Sequence, residues 1–352
     1  MWSLSVKKIV QLSFSLFFIV FILLCRWIPG LAEWYMRDVY PAVAGLLSFI
    51  SSSFFFSMFD ILIIGFIVGF FINLIVLIVR RNKFGKWLYE LVIGIVGIII
   101  WFYMSWGISY FRDDFYARTD TPKAAFDTLN FKSFLNDYIT ELNAAYIPVS
   151  DIDYHDVDSA IEKSYEKLQD ELQIPYPNGT RRVKKMIFEK FITKAGVSGY
   201  FGPFFNEVHV NRYPLAYEQP STIAHEKAHQ FGVASEAECN LYAYIVCTTS
   251  DNRQVRYSGY LEALGYILSN ARKLLPDEYM ELRNKINPKI LEDYSASYEH
   301  WQEAINPTVS EVQHVVYDAY LKSNKIKSGV SNYSEMVALL VSWHNAKKLI
   351  ID

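Results

Sequence analysis

Three long apolar runs in the first third of the chain constrain its fold more than any other feature. Residues 9–25, 61–79 and 88–108 contain few polar or charged side chains. A helix needs about 20 apolar residues to cross a bilayer, so each run is predicted to span a membrane. A further apolar segment, residues 42–59, ends too close to the second run for a turn between two spanning helices. We interpret it as an interfacial or re-entrant helix, within a membrane anchor formed by residues 1–110.

The distribution of basic residues predicts the orientation of this anchor. They are concentrated before the first run and in the short loop after the second, at Lys7, Lys8, Arg80, Arg81, Lys83 and Lys86. Cytoplasmic loops carry an excess of Lys and Arg, and two crossings between the clusters keep both in the cytoplasm. One more crossing places residues 111–352 outside it. The sequence therefore predicts a multi-pass protein of the cell (plasma) membrane with an extracytoplasmic domain.

Residues 111–352 have the patterns of one mainly helical domain. Helical periodicity recurs at about 123–145, 154–173, 256–274, 276–285, 288–304, 308–322 and 331–349. Residues 196–213 have the glycine and proline turns of short strands, and residues 110–122 read as a charged linker. We expect an α+β, mainly helical fold class with a small sheet. The net charge of −3 gives no indication of a nucleic-acid surface.

The segment His225-Glu226-Lys227-Ala228-His229 fits the pattern H-E-x-x-H. Residues four apart on a helix share one face, so the two imidazoles can bind a single Zn²⁺. Glu226 is one step around the helix and can reach a water on that metal. The simpler explanation of this five-residue segment is an ordinary surface helix that has two histidines four residues apart. No C-x-x-C pair is present, so a thiolate zinc site is not expected.

The flanks of this motif predict two helices joined by a tight turn. Ser221 and Thr222 follow a proline and are candidate caps for the first helix. Gly232 can adopt the left-handed conformation that ends a helix. Ser235 and Glu238 fit the capping box that opens the next helix, in which Glu238 reaches back to the Ser235 backbone.

Two glutamates compete for the position of third metal ligand. Glu236 and Glu238 are two residues apart, about 200° around a helix, so both cannot face one metal. Glu238 already has a role as the partner of the cap. Glu236 shares a face with Asn240, whose amide can steady a ligand histidine. The pattern favours Glu236, with Glu238 as the alternative.

The stretch from His225 to Asn240 resembles the zincin metallopeptidases of the gluzincin type, whose third ligand often comes from Glu-x-x-x-Asp/Asn on the next helix. More narrowly, the chain resembles a bacterial membrane-protein family known as domain of unknown function 3810. In that family, spanning helices precede H-E-x-A-H-Q-x-G and a Glu-x-Glu-Ala-Asn segment. Residues 196–211 and 257–260 add to the likeness. Cys239 and Phe231 depart from the usual residues, and neither is a proposed ligand. The resemblance implies a zincin-like metallopeptidase domain over residues 111–352.

These observations predict a membrane-anchored zinc peptidase that hydrolyses peptide bonds outside the cytoplasm. His225, His229 and Glu236 would hold Zn²⁺, which lowers the pKa of a bound water towards about 7. Glu226 would take the proton of that water and pass it to the leaving amine.

The donor that stabilises the oxyanion is open among Tyr257, Tyr260 and His209. The expected partners are a peptide or protein substrate and the lipid bilayer, without nucleic acid; the sequence does not indicate an oligomeric state. The alternative is a non-catalytic zinc-binding membrane protein with a signalling or scaffold role. An intact Glu226 argues against it, because a structural site needs no base. An intramembrane protease is less favoured, since residues 221–240 carry too many charges to span a bilayer.

Overall fold

The computed structural model describes residues 6–79, 84–175, 179–324, 326 and 335–351. The chain divides into two units. The first comprises residues 1–112 with the short segments 177–181 and 202–207, and the second comprises residues 113–176, 182–201 and 208–352. Arg80, Arg81 and Lys83, on which the predicted orientation partly depends, lie outside the described residues.

The first unit is helical. Its elements are α1 (Val6–Trp27), α2 (Leu31–Trp34), a π-helical turn (Tyr35–Val39), α3 (Tyr40–Ser52), α4 (Met58–Val79), α5 (Phe84–Ser105) and a 3₁₀ turn (Gly107–Phe111). Within the described residues, α1, α4 and α5 are the three helices long and apolar enough to cross a membrane. They contain most of the three predicted runs and extend beyond them at several ends. The prediction of a membrane protein is confirmed at this level.

The start of α4 is capped by a carboxylate from a distant part of the same unit. Glu207 accepts hydrogen bonds from the backbone N–H groups of Met58 at 3.2 Å and Phe59 at 2.8 Å. The first N–H groups of a helix have no partner within it, and they attract negative charge. The adjacent Asn206 donates to the hydroxyl of Tyr40 at 2.9 Å. The segment 202–207 is therefore part of the framework of the first unit.

The remaining helices and strands lie in the second unit, except that Gly202 and Glu207, each at the end of a strand, belong to the first. They are α6 (Phe115–Thr119), α7 (Thr128–Ala145), α8 (Tyr154–Leu168), β1 (Val183–Lys185), α9 (Glu189–Lys194), β2 (Gly199–Gly202), β3 (Glu207–Val210), α10 (Gln219–Gln230), α11 (Glu236–Thr248), α12 (Arg253–Leu274), α13 (Tyr279–Asn284), α14 (Pro288–Ala304), α15 (Pro307–Ser323) and α16 (Met336–Ile351). The prediction of a mainly helical α+β chain with a small sheet is confirmed.

The strands form a sheet in the order β1-β3-β2. β1 pairs with β3 in parallel, with Val183 opposite Val208 and Lys185 opposite Val210. β2 therefore lies at an edge of the sheet formed by these three strands. An edge strand presents backbone groups that can pair with another extended chain.

The prediction of a charged linker at residues 110–122 is wrong. This segment contains α6, and Phe115 on that helix is fully buried with its ring 6.0 Å from the ring of Tyr242. Arg118 is also buried, and it forms an ion pair with Glu238 inside the second unit. Because Glu238 lies 120 residues away in the sequence, the local composition does not reveal this partner.

Candidate metal centre

The H-E-x-x-H segment lies on α10, a helix that is buried on most sides. Its carbonyl at Ala224 accepts a hydrogen bond from the hydroxyl of Tyr165 at 2.6 Å. The backbone N–H of Ser221 donates to the hydroxyl of Ser258 at 3.0 Å. These bonds, together with burial of Ala224 and Ala228, fix the helix between α8 and α12. The side chains on its remaining face are therefore held in one orientation.

The predicted caps of α10 are wrong in detail. The helix begins at Gln219, so Ser221 and Thr222 fall within its first turn. The hydroxyl of Ser221 donates back to the carbonyl of Glu218 at 2.8 Å instead of accepting from the helix. A proline at the start of the helix lacks the N–H that a cap would satisfy, which removes part of the need for one.

The turn after α10 follows the prediction. Gly232 has φ +86°, in the left-handed region that glycine adopts at low cost. The N–H of Val233 returns to the carbonyl of Ala228 at 3.1 Å and closes the helix end. Ser235 then caps α11 by accepting from the N–H of Glu238. This tight connection brings the first turn of α11 against the histidine face of α10.

Glu236 meets both histidines. Its Oε2 atom lies 3.1 Å from Nε2 of His225 and 3.5 Å from Nε2 of His229. Ligands about 2.0–2.2 Å from a tetrahedral zinc are roughly 3.3–3.5 Å apart, so these separations suit one shared metal ion. Burial alone would raise the pKa of Glu236, but the two imidazoles hold it well below its usual range. An ionised carboxylate beside two imidazole nitrogens is a donor set that fits Zn²⁺.

The other ring nitrogen of each histidine has a partner that orients it. Nδ1 of His225 lies 2.7 Å from Oδ1 of Asn240, and Nδ1 of His229 lies 2.8 Å from the carbonyl oxygen of Val233. An oxygen acceptor at Nδ1 favours the tautomer whose Nε2 carries a lone pair, and that is the form that binds metal. The sequence-derived role of Asn240 matches this contact.

Cys239 is close enough to both imidazoles to form an alternative group of metal-binding side chains. Its sulfur lies 3.3 Å from Nδ1 of His229, the nitrogen already directed at Val233. Glu236 instead lies at Nε2, the other nitrogen of the same ring. The geometry therefore favours Glu236 over Cys239 as the partner of the two histidines.

Glu238 does not have the role that the capping box predicted for its side chain. Its carboxylate accepts from Nη2 of Arg118 at 2.6 Å and from the backbone N–H of Phe115 at 3.0 Å. The same guanidinium donates to the hydroxyl of Tyr242 at 2.9 Å. Arg118 is nearly inaccessible, and a buried cation needs such a counter-ion. Glu238 thus anchors α6 to α11, on a different side of α11 from the histidines.

Glu226 is buried beside the two histidines, with only 6% of its surface exposed. Burial raises its pKa, the two histidines oppose this effect, and Glu236 adds to it. The backbone of β2 approaches this side chain closely. A Cβ atom at Gly199 would lie 2.8 Å from both Cγ and Oε1 of Glu226, so only glycine fits there. The edge strand therefore passes directly against the candidate base.

The three predicted oxyanion donors have other contacts. The hydroxyls of Tyr257 and Tyr260 donate to the carboxylates of Asp293 and Glu141. The ring of His209 stacks on that of Tyr200, with centroids 4.5 Å apart. None of these contacts involves Glu236 or the Nε2 atoms of His225 and His229.

Another tyrosine, which the sequence patterns did not single out, contacts the centre. The hydroxyl of Tyr317, on α15, donates to Oε1 of Glu236. This leaves Oε2 of the same carboxylate facing the two histidines. Tyr317 is 81 residues away in sequence and is one of 25 tyrosines, so no local pattern distinguishes it.

Residues 35–341 match the model of the family described as Protein of unknown function (DUF3810). The match covers most of the chain, which therefore belongs to this family, as the motifs predicted. Neither a curated protein nor a solved structure matches the chain.

Proposed function

We propose that this member of the DUF3810 family is a membrane-anchored zinc peptidase with a zincin-like domain. One observation carries the proposal. Oε2 of Glu236 lies 3.1 Å from Nε2 of His225 and 3.5 Å from Nε2 of His229, and Glu226 is buried beside them. A site that only holds a fold together does not need that additional carboxylate.

In this proposal His225, His229 and Glu236 hold the metal. When bound, Zn²⁺ supplies Lewis acidity that lowers the pKa of a coordinated water towards about 7. Asn240 and the Val233 carbonyl keep the Nε2 atoms directed at the ion. The hydroxyl of Tyr317 donates to Oε1 of Glu236, so that Oε2 is left to bind the metal.

Glu226 is the proposed general base. Its carboxylate accepts the proton of the attacking water and delivers it to the nitrogen of the leaving amine. Burial raises the pKa of Glu226, which makes its carboxylate a stronger base than an exposed glutamate. Close packing against Gly199 restricts the side chain to one position.

The substrate is proposed to be a peptide or protein segment in extended form. β2 lies at the edge of the sheet and its Gly199 touches Glu226. An extended chain paired with that edge would present its backbone carbonyls to the base. The positions of the basic residues support the further proposal that this reaction occurs outside the cytoplasm.

The decisive experiment compares the full-length protein with Glu226→Gln. We expect the purified protein to contain zinc and to cleave an unstructured protein in a chelator-sensitive manner. The variant should lose about 10²–10⁴-fold in rate while retaining its zinc, since a general base contributes that much. Glu292→Gln, at an exposed glutamate on α14, is the matched control.

Two results would contradict the proposal. Equal activity of the Glu226→Gln protein would exclude Glu226 as the base. Bound zinc without cleavage of any unstructured protein would favour the alternative of a non-catalytic zinc-binding membrane protein with a signalling or scaffold role.

A further inference from the structure

A cavity of about 500 Å³ adjoins the candidate metal centre within the second unit. Thr222, one helical turn before Glu226, lines it from α10. Ser198 lines it next to Gly199, the residue packed against both Thr222 and Glu226. A group held in this cavity would therefore lie beside the candidate base. Its size is within the range of small-molecule and side-chain pockets.

The charge of the cavity is negative. Two carboxylates, Glu218 and Glu262, are among its lining residues, which include no Lys, Arg or His. Glu218 is engaged by the protein: it accepts from Ser297, from the indole N–H of Trp301, and from the backbone of Leu215.

Glu262 differs from Glu218. It projects from α12 and is exposed to the cavity, and within the described residues it forms no hydrogen bond or ion pair. A cation placed next to Glu262 would favour its ionised form and gain from it.

The remaining walls are rich in aromatic rings. They come from α12, α14 and the segment before α10, namely Tyr217, Tyr266, Tyr294, Tyr298 and Trp301. Aromatic faces attract cations, most strongly where water is excluded. Gly265 permits the close approach of one of them, because a Cβ atom there would lie 2.8 Å from the hydroxyl of Tyr294. An unpaired carboxylate among aromatic rings is a combination that recognises ammonium and guanidinium groups.

We propose that this cavity is a subsite for a cationic group of the substrate, with Glu262 as its counter-ion. The inference rests on the proposed peptidase function, since the cavity adjoins the base of that reaction. In a peptide the cation is either a Lys or Arg side chain or a free terminal amine. Both are positively charged nitrogen groups, which is the property that the cavity is proposed to recognise.

The test uses the full-length protein with zinc and matched peptides. One pair carries lysine or the neutral norleucine at each position in turn, and a second pair has a free or an acetylated N-terminus. We expect cationic peptides to be preferred in kcat/KM by about 10–100-fold, the range of one hydrogen bond to a charged group. A preference for lysine over norleucine identifies a side chain as the recognised cation, and a preference for the free over the acetylated N-terminus identifies the terminal amine.

Glu262→Gln should reduce that preference to within a few fold of unity, whereas Glu292→Gln should leave it unchanged. A wild-type enzyme that cleaves both members of each pair equally would overturn the subsite but not the peptidase. Persistence of the preference in Glu262→Gln would also overturn it.

A binding measurement separates the two proposals. Peptide affinity is measured on Glu226→Gln protein with and without the additional Glu262→Gln change, so that no turnover is required. Tighter binding of cationic peptides that depends on Glu262 supports the subsite even if no peptide is cleaved, an outcome that would contradict only the peptidase. Equal affinities would overturn the subsite.

Discussion

The charged groups on the two faces of α10 have different kinds of partner. On one face Lys227 is fully buried, with its ammonium 2.8 Å from Asp158 and in contact with Glu162, both on α8. Burial alone would lower the pKa of Lys227, but the two carboxylates raise it. On the other face, the carboxylate of Glu236 meets two imidazoles and the hydroxyl of Tyr317.

This difference separates a structural cluster from a candidate binding site. A buried ion is costly unless an opposite charge accompanies it. The Lys227 cluster and the Arg118–Glu238 pair each obtain both signs from the chain itself. At the candidate centre, the side chains described around Glu236 are a second carboxylate, imidazoles and a tyrosine. A divalent cation bound there would supply the positive charge that accompanies these carboxylates. The Lys227 cluster and the Arg118–Glu238 pair need no such ion, because each already contains a cationic side chain.

The largest expected effect distinguishes the two glutamates of α11. Glu236→Gln should abolish retention of zinc through purification, a loss beyond the 10–100-fold that a partner of a ligand contributes. Glu238→Gln should retain zinc but destabilise the fold by about 3 kcal/mol, because Arg118 loses its buried counter-ion. Metal content and thermal unfolding of both variants give the two readouts.

Each glutamate variant serves as the control for the other. Loss of zinc in Glu238→Gln with normal binding in Glu236→Gln would reverse the assignment of the third ligand. Retention of zinc in both would point to a ligand set that includes Cys239, the third member of the alternative group.

The next effect concerns the opposite face of the helix. Lys227→Met should lower the free energy of unfolding by about 3 kcal/mol, since it removes the fully buried ammonium that pairs with the partly buried carboxylates of Asp158 and Glu162. For a unit of this size that corresponds to roughly 10 °C in melting temperature. Lys163→Met, at an exposed lysine on α8, should change it little. Equal melting temperatures for the two variants would mean that the Lys227 cluster contributes little to stability.

Local patterns were sufficient for the parts of the site that depend on local geometry. Helical spacing predicted the shared face of His225 and His229, and glycine chemistry predicted the left-handed turn at Gly232. The contacts of Glu238 with Arg118 and of Glu236 with Tyr317 join residues 120 and 81 positions apart. Such partners are selected by tertiary packing, which leaves no periodic signal in the sequence. The same reason explains the error at residues 110–122, where a segment with a helix and a buried ion pair was predicted to be a charged linker.

The smallest expected effect tests whether orientation of the histidines matters on the candidate metal-binding face. Asn240→Ala removes the oxygen 2.7 Å from Nδ1 of His225, so this imidazole can rotate or change tautomer. Zinc affinity should fall by about 10–100-fold. Asn136→Ala, at an exposed asparagine on α7, provides the control, and competition with a zinc-binding dye measures both.

Asn240→Asp keeps an acceptor at this position and should restore most of the affinity. Unchanged zinc affinity in Asn240→Ala would show that the site does not need Asn240 to orient His225. Of the two faces of α10, only the Lys227 face would then depend on the polar partners described for it.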